Sequence, residues 1–145
     1  MRTITVIEVE YIAFKLAQEM LAFNEPIPDF ATRFPTSLES CLAAPFQSFS
    51  KKSLYPGLLP KASVLFYLMI KNHPFQNGNE RIAMTTLFVL LYKNKKWIQA
   101  DSQELYNMTV WVAQSPPQFK TEVVKAIEKF LKTHVVTLNH QAPKT

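Results

Sequence analysis

Glycine is almost missing from this chain. Gly57 and Gly78 are its only two, against ten prolines among 145 residues. All-β proteins draw heavily on glycine at their turns, so the imbalance argues for helices punctuated by proline. Cysteine is scarcer still. Cys41 stands alone, which excludes an intramolecular disulfide framework and a cysteine-built zinc cluster and suits a reducing cytoplasm. Long apolar runs are also lacking: the two most apolar stretches, 62–70 and 82–92, are too short to span a bilayer and are parted by a polar segment. Nor does the start read as a secretory signal, because Glu8, Glu10, Lys15 and Glu19 interrupt it. The expectation is a cytoplasmic protein with no membrane partner.

What is present suffices for a packed core. Hydrophobic residues make up 48% of the chain and charged ones 19%, the profile of one globular domain, expected over 1–138 with a loose polar tail at 139–145. The net charge of +5 favours anionic partners but is too mild to point to nucleic acid. His134 and His140 have no further ligand at metal spacing and read as solvent-facing.

Apolar periodicity then divides the chain. Val6, Val9, Ile12, Leu16 and Met20 recur at helical spacing, so a helix is expected over 5–23, ended by Pro26 and Pro28. Thr36-Ser-Leu-Glu39 reads as a capping box opening a short helix that stops before Pro45. The stretch 46–57 reads as irregular, with Phe46, Phe49 and Tyr55 as packing aromatics. Pro60 suits the first turn of a helix that is apolar nearly all round and therefore central. A second apolar helix is expected over 79–93, with Lys93, Lys95 and Lys96 as a solvated end. Asp101-Ser-Gln-Glu104 caps another helix ending near Ser115, and Ser115 with Pro116 and Pro117 caps the last, 118–134. Trp97 and Trp111 read as core or hinge packing, and Cys41 as a small buried apolar residue. The fold expected is a single all-α domain of about six helices.

One segment stands apart. His73-Pro-Phe-Gln-Asn-Gly-Asn-Glu-Arg81 sets an imidazole, two amides, a glycine and an arginine between the two most apolar helices. Gly78 allows close approach of a ligand to the backbone, and the following helix offers amide donors and the positive end of its dipole. Arg81, one turn in, could fork onto phosphate oxygens. That is the chemistry of an anion pocket.

These residues resemble the signature of the Fic/Doc family, in which His-x-Phe-x-acid-Gly-Asn-x-Arg joins two helices. The stretch 38–49, Leu54-Tyr-Pro56, Lys71-Asn-His73 and Ile82-Ala83 are similar to its short death-on-curing branch, the toxins of toxin–antitoxin pairs. The resemblance covers about the middle two-thirds of the chain. It implies that His73 is a general base taking the proton of a hydroxyl on a protein target. Phe75 would anchor the loop, Asn77, Gly78 and Asn79 would cradle the phosphates of ATP, and Arg81 would hold the remainder. Asn77 stands where the family has its magnesium-binding acid. It also implies transfer of a phosphoryl group or AMP from ATP with Mg²⁺, a target such as elongation factor Tu, growth arrest as the outcome, and a separate antitoxin as partner.

Three departures from the pattern bear on that reading. Asn77 removes a negative charge, so magnesium should bind more weakly. Glu80 replaces the usual Gly or Lys. About 5 Å from a phosphate it would cost roughly 3 kcal/mol at an effective dielectric of about 20, and almost nothing if turned to solvent. It could also restrain the site by pairing with Arg81. Met84 stands where AMP-transferring members carry a second arginine, which favours phosphoryl transfer. The alternative is a catalytically degenerate domain that binds a nucleotide or protein without turnover.

Overall fold

The computed structural model describes residues 1–13, 15–17 and 29–138, with only the backbone for 12 and 13. Among them the fold is helical as expected, with six α-helices: α1 Val6–Glu8, α2 Pro35–Ala43, α3 Leu58–Lys71, α4 Asn79–Lys93, α5 Ser102–Gln114 and α6 Lys120–His134. Two small antiparallel sheets accompany them, β1 Ser48–Phe49 with β2 Lys52–Ser53, and β3 Lys96–Ile98 with β4 Val135–Thr137.

The two apolar segments are the centre of the domain. α3 begins after Gly57, whose φ of 94° suits glycine, with Pro60 in the first turn, and is buried without a break from Lys61 to Ile70. It packs chiefly against α4 and α6. α4 buries Asn79 and everything from Ile82 to Leu91. Buried leucine, phenylalanine and methionine on both helices each contribute about 1.5–3 kcal/mol of transfer free energy, which fixes the pair as a rigid frame. β3 and β4 clasp the frame at its far end, pairing Trp97 with Val136 and tying the exit of α4 to the exit of α6.

Several local expectations are corrected. The Thr36–Glu39 capping box does not form. α2 opens at Pro35 instead, behind Phe34, because proline is preorganised for the first helical position. Ser115 does not cap the last helix: it is buried, donates to the Val112 carbonyl, and a 3-10 turn over Pro117–Phe119 precedes α6. Irregular chain was expected over 46–57, but β1 and β2 form a hairpin there. Its turn residues Ser50 and Lys51 both lie at positive φ, as a two-residue loop requires. Phe49 on that hairpin is 75% exposed and Trp111 49%, so neither is core. Trp97 does pack, 5.3 Å from the Phe88 ring.

The N-terminal segment is helical only in pieces. Thr5 and Glu8 make a capping box, and after α1 the helix widens to a π-helical turn over Val9–Ala13. Helix resumes at 15–17; Met20, Pro26 and Pro28, like His140 and the 139–145 tail, lie outside the described residues. Lys93 is not a solvated end. Its ammonium binds the Glu8 carboxylate at 2.5 Å and joins α4 to α1. His134 is not solvent-facing either: its ring stacks 4.1 Å from Phe130, and Nε2 lies 3.5 Å from the Glu104 carboxylate.

Candidate functional site

The segment 73–78 connects α3 to α4, and its shape is set by Asn79. That side chain is buried and turned back into the loop, where Oδ1 accepts from the Phe75 amide and Nδ2 donates to the Phe75 carbonyl, both at 2.9 Å. An amide carries a donor and an acceptor on separate atoms and so satisfies both groups of a single residue at once. Phe75 itself is 1% exposed and lies 5.9 Å from the Phe30 ring. The loop is therefore bolted down at its middle. Gly78 caps α4 in the left-handed region, at φ 71° and ψ 12°, with its carbonyl accepting from the Ile82 amide. Gly78 has no side chain with which to cap the first turn of α4.

His73 sits exposed at the loop's other end, with φ at 48°. A residue before proline ordinarily adopts extended backbone, and a left-handed non-glycine residue costs about 1–2 kcal/mol. The strain aims the imidazole. Its Nδ1 lies 3.5 Å from Asn79 Nδ2, a long contact. Because an amide nitrogen only donates, that contact favours hydrogen on Nε2; a proton acceptor at Nε2 requires the other tautomer and gives up the contact.

Two further segments hold the loop, and neither is marked by a local sequence pattern. Phe34 donates its amide to the Pro74 carbonyl at 2.8 Å, and Ser37 Oγ donates to the Asn72 carbonyl at 3.1 Å, so the start of α2 wraps the loop. Lys71, two residues before His73, donates to the carbonyls of Ala113 and Ser115 and fastens the loop's base to the end of α5. Hydrogen bonds to backbone from the far side of a domain leave no periodicity to read. Lys61, buried near the start of α3, holds the hairpin by donating to Ser53 Oγ and the Tyr55 carbonyl.

The expected site residues therefore lie in one place. His73 and Asn79 are in contact, Asn77 and Gly78 fill the interval, and Glu80 and Arg81 form the half-buried first turn of α4. A helix start beside a left-handed glycine suits phosphate oxygens. For a magnesium ion the donor set is thinner. Among the described residues no three His, Cys, Asp or Glu side chains gather, but Asn77 Oδ1 is buried with no hydrogen-bond partner and is a neutral oxygen suited to a hard cation. The residues thus fit a nucleotide's phosphates, and a magnesium ion only as one those phosphates bring with them. Nearby, burial pushes the Cys41 thiol up to about 11, with bonds from Asn72 and Ser37 only partly opposing it, so it is no nucleophile at neutral pH.

No helix among the described residues is long and apolar enough to cross a membrane. No curated protein and no solved structure matches the chain. A family model described as the Fic/DOC family matches residues 4–91, more than half of it. That span takes in the loop, both central helices and the segment that wraps them, and the chain belongs to the Fic/DOC family.

Proposed function

We propose that the 73–81 segment is a nucleotide-dependent transfer site that modifies a hydroxyl side chain of a protein substrate in the cytoplasm. The observation that carries the reading is His73. A non-glycine residue is held in the left-handed region, exposed, on a loop that the Asn79 side chain otherwise locks. Strain of that kind persists only where surrounding structure over-determines it, and it concentrates at functional sites.

Transfer of AMP or a phosphoryl group is the general activity of the family, and the phosphoryl reaction is the one this site favours. ATP, with Mg²⁺ on its phosphates, supplies the transferable group when bound. Gly78 and the start of α4 take phosphate oxygens, Asn79 keeps the loop's shape, and Arg81 neutralises charge from one turn in. His73 accepts the substrate hydroxyl proton at Nε2. Such transfers depend on positioning and charge neutralisation more than on covalent help, so a short loop is enough. α4 carries one arginine, Arg81, and Met84 is buried, which suits a shorter hold on the nucleotide than AMP transfer uses. In biological terms the reading is a death-on-curing toxin acting on a translation factor such as elongation factor Tu, and held in check by a cognate antitoxin.

The test is label transfer from ATP to cell-extract proteins, with α- and γ-phosphate labels run in parallel, excess magnesium, and His73→Ala as control. Label from the γ position alone, lost in the variant, is the expected result. Label from the α position would assign AMP transfer. Binding of ATP with no transfer from either label would overturn the enzyme reading in favour of a degenerate binding domain, for which Asn77 in place of an acid is the supporting feature.

A further inference from the structure

A cation beside the loop is unused in this reading. Arg33 follows the 3-10 turn Phe30–Thr32 and immediately precedes Phe34, whose amide holds the Pro74 carbonyl. Its guanidinium carbon stands 4.3 Å from the centroid of Phe30, and Phe30 packs against Phe75 of the loop. The guanidinium is therefore two ring contacts from the middle of the loop. Its one hydrogen bond is weak, from Nη1 to the Phe30 carbonyl of its own turn at 3.4 Å. Nε is enclosed with no acceptor, and the ion pairs among the described residues do not include Arg33. Nη2 makes no hydrogen bond and, unlike Nε, is not fully enclosed.

A partly desolvated guanidinium that gives up water for one long bond and a ring face is under-compensated. The loop also carries the complementary defect, since Asn77 Oδ1 is a buried acceptor with no donor. Buried polar atoms left without partners around a single loop are the pattern of a site completed by something bound there, an anion for the guanidinium and, for Asn77 Oδ1, a cation that the anion carries. Charge points to what that is. A nucleotide triphosphate brings several negative charges, whereas α4 offers Arg81 as its only cation until Lys93 at its far end. The stem of Arg33 is already held by Phe30, so fixing its tip costs little further rotamer freedom, and its planar fork is matched to phosphate.

We infer that Arg33 is a second phosphate-binding side chain of this site, with Nη2 reaching a phosphate oxygen of the nucleotide held at the start of α4. The inference rests on the nucleotide reading above, and the test separates the two. The full chain is titrated calorimetrically with ATP and, separately, with inorganic tripolyphosphate, in wild type, Arg33→Met and Arg33→Lys. Methionine keeps an apolar stem over Phe30. Its expected effect is a loss of about tenfold to a hundredfold in affinity for both ligands, with partial recovery in the lysine variant and an unchanged unfolding midpoint without ligand. Equal ATP affinity in wild type and Arg33→Met overturns the inference and leaves the nucleotide site standing. Tripolyphosphate binding that depends on Arg33, without ATP binding, keeps the anion contact and overturns the nucleotide reading. If neither ligand binds wild type, both fall.

Discussion

Helices α1, α4 and α5 begin in two different ways. α5 is closed by a reciprocal box, in which the Asp101 carboxylate accepts from the Glu104 amide at 2.8 Å and the Glu104 carboxylate accepts from the Asp101 amide at 3.2 Å. α1 repeats the device with Thr5 and Glu8. α4 has neither. Gly78 has no side chain to build one, and Asn79 is spent on the Phe75 backbone. A box contributes roughly 1 kcal/mol to stability; a glycine start gives that up and sets the positive end of the helix beside the loop. The boxed starts serve stability, and the start of α4 serves the shape of the loop.

The largest break of this contrast is expected at His73. His73→Ala should lower label transfer about a hundred- to ten-thousandfold while leaving the unfolding midpoint within a few degrees, which activity assays and a thermal melt measure together. Asn79→Ala comes next. It strands the amide and carbonyl of buried Phe75, so unfolding in urea should show a loss of about 2–4 kcal/mol, with transfer abolished because the loop loses its shape. Asp101→Ala should cost about 1 kcal/mol and leave transfer unchanged; a matching loss of transfer would erase the distinction between the boxed starts and the start of α4.

Glu8→Gln is the smallest effect, at most about 1 kcal/mol, and it carries a pH signature. Burial raises the Glu8 carboxyl, but hydrogen bonds from Lys93 and Thr5 and the Lys93 charge together outweigh it and hold it below the ordinary 4.5. A carboxyl lowered in the folded state stabilises fully above its unfolded value and loses that contribution as pH falls through the folded one. Wild type and variant should therefore differ most above about pH 5 and converge in acid, as melts from pH 3 to 7 would show.

The central architecture was legible because burial on all sides leaves no alternation to misread. Val64, Leu65, Leu68 and Ile70, then Ile82 to Leu91, could only be interior helices, and the polar residues between them could only be a connection. The Asp101–Glu104 box was legible for a similar reason, being a local pattern with a local cause. Thr36–Glu39 shows the opposite case. The same pattern was present, but Pro35 began the helix two residues earlier than the box would have and moved Thr36 inside it. At the site, residue types and spacing brought His73 through Arg81 together on paper. What holds them was hidden, because Phe34, Ser37 and Lys71 act through backbone groups far away in sequence. His73's left-handed backbone was equally invisible, since a histidine before proline predicts extended chain.

The exit of α4 gathers more than a strand pair. The Asn94 side chain exchanges two hydrogen bonds with the Arg2 backbone, and the Lys95 carbonyl receives the Leu138 amide. Residues 2 and 138 thus meet at one pole of the helix, while the loop occupies the other, roughly 22 Å away along 15 residues of α4. Dyes or surface tethers attached at those two positions would leave the pole that carries the loop clear.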